Sequence, residues 1–213
     1  MPILTRAASS VGGGVLAAAT GGLAALRRAR KPLHPSGEVL AARVFRNGSA
    51  EPSGVAWLDE AGQDDAVVRL SRAIGLAGPL PDIHGLAVRV QLDGGYGDLL
   101  FATTGRGPVS RFVLVPSRGS RSQPMTTLLP YRTEAGPLVL SAEPVGVEAF
   151  ELSWARPTGD WQPFGSLRLS TRRVPEEISF DPVVHQLPGL DQYPSVRRLR
   201  EPAYATARGS RSD

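Results

Sequence analysis

Histidine is the side chain best suited to moving protons or holding a metal near neutral pH, and this chain has three, His34, His84 and His185. They lie far apart in sequence. None stands at the i, i+4 spacing that puts two ligands on one helix face, and no acidic cluster accompanies them. The motifs G-x-G-x-x-G after a strand, G-x-x-x-x-G-K-[ST] and G-x-S-x-G are missing. Asp64-Asp65 and Glu176-Glu177 are adjacent pairs. Neighbours in a strand face opposite sides, so these acids are expected in solvated turns rather than as acid–base dyads. The chain contains no cysteine, which excludes disulfides, Cys-based zinc or iron–sulfur sites and a cysteine nucleophile. A hydrolase such as a metal-dependent phosphodiesterase therefore finds almost no support.

The charge is unevenly placed. One lysine, Lys31, and 23 arginines oppose 20 acids, for a net charge of +4. Residues 1–31 carry +5 with no acid, and residues 197–213 carry +3. The segment between them carries 14 arginines against 18 acids, which is −4. A mildly acidic body with basic ends is the pattern of solvated arginine-rich tails. Such tails can also meet nucleic acid or an anionic membrane. The acidic body and the lack of interleaved aromatic and basic residues argue against specific nucleic-acid binding.

Residues 7–26 are uncharged and precede Arg27-Arg28-Ala29-Arg30-Lys31. Twenty uncharged residues invite a membrane reading. However, five are glycine and only five are valine or leucine, too few to offset a spanning backbone. The basic cluster also follows the apolar stretch, the reverse of a secretory signal. Gly14, Ala18 and Gly22 form a small-residue row of the kind that packs helices in lipid. Three readings remain: a helix or tail packed on a cytoplasmic protein, a membrane-surface segment over residues 7–31, and a targeting peptide. Residues 1–30 are separated on this basis from a single domain over residues 31–213.

From Gly37 onward the chain reads as short apolar runs broken by turn residues, which predicts a β-rich α+β fold built on an antiparallel barrel or sandwich. The runs are 39–45, 66–71, 86–92, 98–103, 111–115, 138–141, 149–153 and 166–170. Asn47-Gly48 after the first is a strong hairpin signal, and Asp93-Gly94-Gly95 closes the third. Helical pattern is confined to the ends and to the stretches near 72–76 and 195–208. Glycine and proline make up about a fifth of the chain without a repeat period, as expected for many turns. Trp154 and Trp161 are expected as core or rim aromatics.

Several segments, taken in order, resemble the catalase core. Lys31-Pro-Leu-His34-Pro-Ser-Gly37 looks like its basic-x-x-His-x-x-Gly opening, and Val68-Arg69-Leu70-Ser71 like its Arg-x-Ser strand. Pro81-Asp-Ile-His-Gly85-Leu-Ala-Val-Arg-Val90 is similar to its Asp-Pro-Arg-Gly-Phe-Ala-x-Lys-Phe segment, with the proline one register offset. Gly97-Asp98-Leu99-Leu100 follows as Trp-Asp-Leu-Val does there. Arg200-Glu-Pro-Ala-Tyr204 fits the Arg-x-x-x-Tyr of the proximal haem ligand, and the Phe180-Asp-Pro segment before it resembles the end of the short, catalase-related haem proteins.

The resemblance implies a catalase-like β-barrel with peripheral helices that supplies a dry pocket for haem b, and a small hydroperoxide as substrate. Tyr204 would ligate the iron as tyrosinate, with Arg200 four residues earlier keeping the phenol ionised. His34 would move a proton between the peroxide oxygens, and Ser71 would accept from its imidazole. Lys31, Arg69 and Arg72 would pair with the propionates. A helix beginning near Glu201 accommodates Pro202 in its first turn and puts Arg200 at the cap. Asp82 and Gly85 are expected to shape a turn. The pattern departs at one telling place: the distal asparagine that follows Asp-Leu-Val is replaced by Ala102-Thr103. Efficient disproportionation of hydrogen peroxide is not expected without that amide. The alternative reading is a haem-free barrel of the same fold that binds an apolar ligand or a protein partner.

Overall fold

The computed structural model describes residues 38–73, 80–174, 178–198 and 200–201. Ten strands dominate it: β1 (Glu38–Asn47), β2 (Ala61–Arg72), β3 (His84–Leu92), β4 (Gly95–Thr103), β5 (Met125–Thr126), β6 (Tyr131–Thr133), β7 (Gly136–Pro144), β8 (Ala149–Ala155), β9 (Gln162–Arg173) and β10 (Asp191–Gln192). All pairings are antiparallel. Strands β1–β5 and β7–β9 form a continuous ladder that closes on itself through β1–β9 and β7–β8. The result is the expected antiparallel barrel, with eight strands and no free edge. Strands β6 and β10 extend from β7 as a small flap.

Alternation along each strand sets the two faces. Leu40, Ala42 and Val44 of β1, Val68 of β2, Leu86, Val88 and Val90 of β3, and Leu99 and Phe101 of β4 point inward. They meet Leu138, Leu140, Phe150, Leu152, Phe164 and Leu167 from the other side. One end is stoppered by Val55, Trp57 and Leu58 on and beside the short helix α1 (Ala56–Asp59), with Leu187 and Leu190. Burying these side chains contributes about 1.5–3 kcal/mol each. The barrel interior is thus a filled core, which corrects the expectation that the barrel itself supplies the pocket. A planar ligand has to use its outside.

Closure needs close backbone approach and local bending. The ladders shift register between Leu40 and Ala42 and between Leu152 and Ser153, bulges of the kind that let a sheet curl. Gly165 stands opposite both Arg46 and Leu152, where a Cβ would lie inside contact distance of the Phe45 carbonyl oxygen.

Other expectations are corrected. Asn47-Gly48 does not make a tight hairpin. Residues 48–60, including α1, connect β1 to β2, and Gly48 (φ 79°) turns the chain where a Cβ would press the Asp59 carbonyl at 2.7 Å. The 111–115 run is not a strand: Ser110–Phe112 form a 3₁₀ turn and Leu114 makes only an isolated bridge to Thr104. Arg72 ends β2, and residues 74–76 of the helical pattern read near 72–76 lie outside the described residues. Asp64 and Asp65 lie in β2, not in a turn, where they pair with Arg46 and Arg43 on opposite faces. Residues 194–198 and 200–201 are helical, so Arg200 follows a helix already begun rather than capping one. The N-terminal segment 1–30 and Glu176-Glu177 lie outside the described residues. No helix among those described is long and apolar enough to cross a membrane.

Candidate functional site

Of the segments that carry the resemblance, those in β2, β3 and β4 lie side by side, with Phe180 across their outer face, while residues 31–37 and 202–204 lie outside the described residues. Register runs Ser71↔Gly85↔Ala102 in one row, Arg69↔Ala87↔Leu100 in the next, and Val67↔Arg89↔Asp98 in the third. Cross-strand partners share a face. These are the outward positions, since Val68, Leu86, Val88, Leu99 and Phe101 point into the core. Gly85, Ala87 and Ala102 add nothing larger than a methyl, so a flat strip runs beside the Ser71 hydroxyl. A Cβ at Gly85 would lie 2.9 Å from Ser71 Oγ, so glycine keeps that strip open. Gly85 therefore serves a flat strand rather than a turn. Asp82, likewise, is fully buried in a bridge to Ser117.

The strip is bounded by an electrostatic clamp. Arg89 donates to Asp98 through Nε at 2.7 Å and Nη2 at 2.6 Å, and donates again to the Ser179 carbonyl at 2.7 Å. Asp98 is buried and also accepts the Asp181 N–H at 2.6 Å. The hydrogen bonds to Asp98 hold the Arg89 guanidinium above its usual value against the opposing effect of burial. Phe180 lies under both Arg69 (5.3 Å) and Arg89 (5.5 Å), ring face to cation. The Phe180-Asp-Pro segment is thereby pinned across the outer face beside Arg69.

Ser71 and Arg69 stand on this face. Arg72, the neighbour of Ser71, points to the other side of β2. It sits at the barrel mouth, 3.4 Å from the buried Asp82 carboxylate, and donates to the Leu80 carbonyl. Arg200 is half-buried on the C-terminal helical segment. Lys31, His34 and Tyr204 lie outside the described residues. His84 faces the barrel end, buried, its Nε2 3.1 Å from the Ser117 carbonyl. A carbonyl only accepts, so Nε2 carries the proton and His84 is a structural group. His185 packs against the Tyr96 ring at 6.4 Å. Among the described residues no group of three or more His, Asp or Glu is arranged to hold a metal ion.

Sequence reasoning missed the Arg89–Asp98 clamp, although its signal was present. With the two-residue turn Asp93-Gly94 setting Leu92 opposite Gly95, counting back three places puts Arg89 opposite Asp98. It also missed Arg111. That side chain is buried and donates to the carbonyls of Gly107, Arg156, Gly159 and Arg106, with the Trp161 ring 4.5 Å away. Burial pushes its guanidinium below the usual value. Arg106, whose guanidinium also lies over this ring at 5.5 Å, pairs with Glu143. Trp161 is thus a rim aromatic in contact with two arginines, and Trp154 is buried in the core, as expected of both.

No protein-family model matches the chain, and no curated protein matches it in sequence. Among solved structures it is similar to a bacterial catalase, with a TM-score of 0.57 and 12% identity over 85% of this chain. The match covers 57% of the catalase chain, so the chain spans little more than half of that protein's length. A likeness at this identity establishes the fold: an antiparallel catalase-like barrel with few helices.

The haem expected from the sequence resemblance sets a geometric requirement on this strip. A porphyrin is flat and carries two carboxylates. The bare Cα of Gly85, the small Ala102, the Ser71 hydroxyl and the Arg69 cation suit the face and edge of such a molecule, while Ala87 in the next row is buried. Ala102, in register with Gly85, offers no hydrogen bond.

Proposed function

We propose that the outer strip of β2–β4 is the distal face of a haem-b site in a catalase-related protein that acts on hydroperoxides, with efficient disproportionation of hydrogen peroxide lost. The observation that carries this reading is the register Ser71↔Gly85↔Ala102 beside Arg69 on a catalase-like barrel. Bound haem would supply the redox centre that exchanges electrons with the peroxide oxygens. Ser71 would accept a hydrogen bond from the imidazole of His34 and fix which ring nitrogen is free to take a proton. His34 would then carry that proton from the near to the far peroxide oxygen. Arg69 and Lys31 would hold the propionates. Tyr204 would hold the iron through its phenolate, with Arg200 favouring that ionised form. Arg72 is left out of the propionate set in this reading, because Asp82 already engages it. Ala102 removes the amide that would hold the second peroxide oxygen, which favours slow turnover or bulkier organic hydroperoxides.

The test is the absorption spectrum of protein expressed with added haem, beside Tyr204→Phe and Gly85→Val. A Soret band in the wild type, shifted by Tyr204→Phe and weakened by Gly85→Val, is expected. A folded wild type that takes up no haem would overturn the reading. It would leave a haem-free barrel, the reading that the bare Ala102 position favours.

A further inference from the structure

The two rims of the barrel differ in charge. The start of β1, the ends of β2 and β9 and the β7–β8 turn share one rim, as the registers Glu38↔Leu70, Leu40↔Arg173 and Pro144↔Phe150 require. The other rim holds the connections β1–β2, β3–β4, β6–β7 and β8–β9. Those connections carry Glu51, Asp59, Glu60, Asp93, Glu134 and Asp160 against a single cation, Arg156. At the first rim the balance reverses. Arg72 is paired with Asp82 and Arg173 with Glu38. Arg118, Arg168 and Arg172 are exposed and have no acidic partner among the described residues, and Glu148 is the one acid left beside them there. Arg118 belongs to this rim because Ser117 bridges Asp82 just before β3. The chain also enters the barrel here, at Glu38, and residues 1–37 add five cations and no acid. They outnumber Glu176-Glu177, which follow β9 outside the described residues.

The basic rim also presents apolar side chains to solvent. Val145 and Val147 are 57% and 71% exposed on either side of Gly146 in the β7–β8 turn, and Leu80, just before β3, is 54% exposed. Gly146 has φ 74°, and no atom lies within 4 Å of the place its Cβ would take, so the tip of the turn stands clear of the barrel. Arg168 and Leu169 flank its base, where the Leu169 N–H donates to the Glu148 carbonyl. One exposed valine is ordinary on a protein surface. Here the exposed apolar tip and the arginines without acidic partners share one end of the molecule.

That combination narrows the partner. A nucleic acid would engage the arginines and leave the valines in water. A neutral apolar surface would cover the valines and leave the arginines without counter-charge. An anionic bilayer offers both, with acidic headgroups lying over an apolar layer. We infer that this rim docks on an anionic lipid surface, with Val145 and Val147 entering the interface and Arg118, Arg168 and Arg172 against the headgroups. The acidic rim is then turned away from the lipid, and residues 1–37 join the barrel on the membrane side. The docking surface belongs to the barrel itself, apart from residues 7–31, and it does not depend on the haem reading.

The test is co-sedimentation of the full chain with vesicles of two parts phosphatidylcholine to one part phosphatidylserine, beside vesicles of phosphatidylcholine alone. Binding to the anionic vesicles is expected to be at least about tenfold tighter and to weaken as salt shortens the screening length. Arg172→Gln should weaken it about fivefold, the worth of one arginine near an anionic surface. Val145→Asp with Val147→Asp should weaken it at least about tenfold while leaving the melting temperature unchanged, because both side chains are exposed. Val109→Asp, equally exposed but on the loop that Arg111 ties to the β8–β9 turn, should change nothing. Since the chain has no cysteine, Val147→Cys carrying a nitrobenzoxadiazole label gives a second, local reading. Its emission should rise on anionic vesicles, and the same label at Val109→Cys should not respond. Equal binding to both vesicle types, or no binding, would overturn the inference. Tight binding with a silent label at position 147 and no effect of the tip variants would overturn it as well, by showing that residues 1–37 alone reach the lipid.

Discussion

In the proposed haem reading, Ala102 is the strip residue with the largest consequence for the chemistry. It stands in register with Gly85 and, through it, with Ser71, so its Cβ looks onto the same flat surface. A methyl there cannot donate to a developing charge. Removing one positioned donor from an active site costs about 10²–10³ in rate, so restoring one is worth testing. In haem-loaded protein, Ala102→Asn is expected to raise oxygen release from hydrogen peroxide by at least about tenfold, followed with an oxygen electrode. No change would mean that the strip does not face the reacting oxygens. Asp98 works at the same scale but for stability. Its carboxylate is fully buried and receives two N–H groups of Arg89 and one of Asp181. Removing one partner of a buried pair costs about 3–5 kcal/mol. Asp98→Ala should lower the urea-unfolding free energy by about that much, and the double change with Arg89→Met should recover part of the loss. A loss under about 1 kcal/mol would show that the pair is solvated.

Elements meet where backbone approaches backbone, and glycine marks two such places with different consequences. A Cβ at Gly165 would strike the carbonyl of Phe45 on the neighbouring strand, in the ladder that closes the barrel. A Cβ at Gly97 would strike Cγ and Cδ1 of the buried Leu187 side chain, which can shift with its packing, rather than a hydrogen-bonded strand carbonyl. Overpacking costs about 1–3 kcal/mol where nothing can yield. Gly165→Ala is therefore expected to lower the melting temperature by several degrees more than Gly97→Ala, by calorimetry of both variants. Equal losses would show that Leu187 is as immovable as the strand. Arg111 is the other device at this scale. One guanidinium joins the loop after β4 to the β8–β9 turn through four carbonyls, and so positions Arg156 as well.

For the whole molecule, closure makes the barrel a single cooperative object. Every strand of the ladder lies between Glu38 and Arg173, and the pairing of its first strand, β1, with its last, β9, joins residues more than a hundred positions apart. A filled core with no sheet edge has no part that can leave without exposing the rest. A chain beginning at Glu38 is therefore expected to keep a β-type circular dichroism spectrum and one sharp urea transition. Two transitions, or loss of the spectrum, would show that the segment before β1 completes the barrel.

The alternation of apolar residues was legible in the sequence, because period two follows from the pleat alone. It placed β1, β2, β3, β4, β7, β8 and β9 within a few residues. The Asp93-Gly94 hairpin even contained the Arg89–Asp98 pairing. The flat Ser71–Gly85–Ala102 row could be suspected only from a resemblance, since it spans three strands whose register no local signal states in full. The failed readings share a cause. Residues 111–115 form a short apolar run like a buried strand, but β5 already occupies the place beside β4, so that run is left to a 3₁₀ turn and one bridge. Asn47-Gly48 has hairpin chemistry, but the barrel end needed a stopper, and the chain spends 13 residues (48–60) on α1 and its flanks instead. Whether the barrel held a ligand or a core depended on summed side-chain volumes that no single segment reveals. Arg156 reads as one more surface arginine until the folded turn stacks it on Trp154 and leaves one of its nitrogens buried. Local pattern follows from local sterics, whereas strand order and lumen filling follow from contacts between distant segments, and only the closed barrel brings those together.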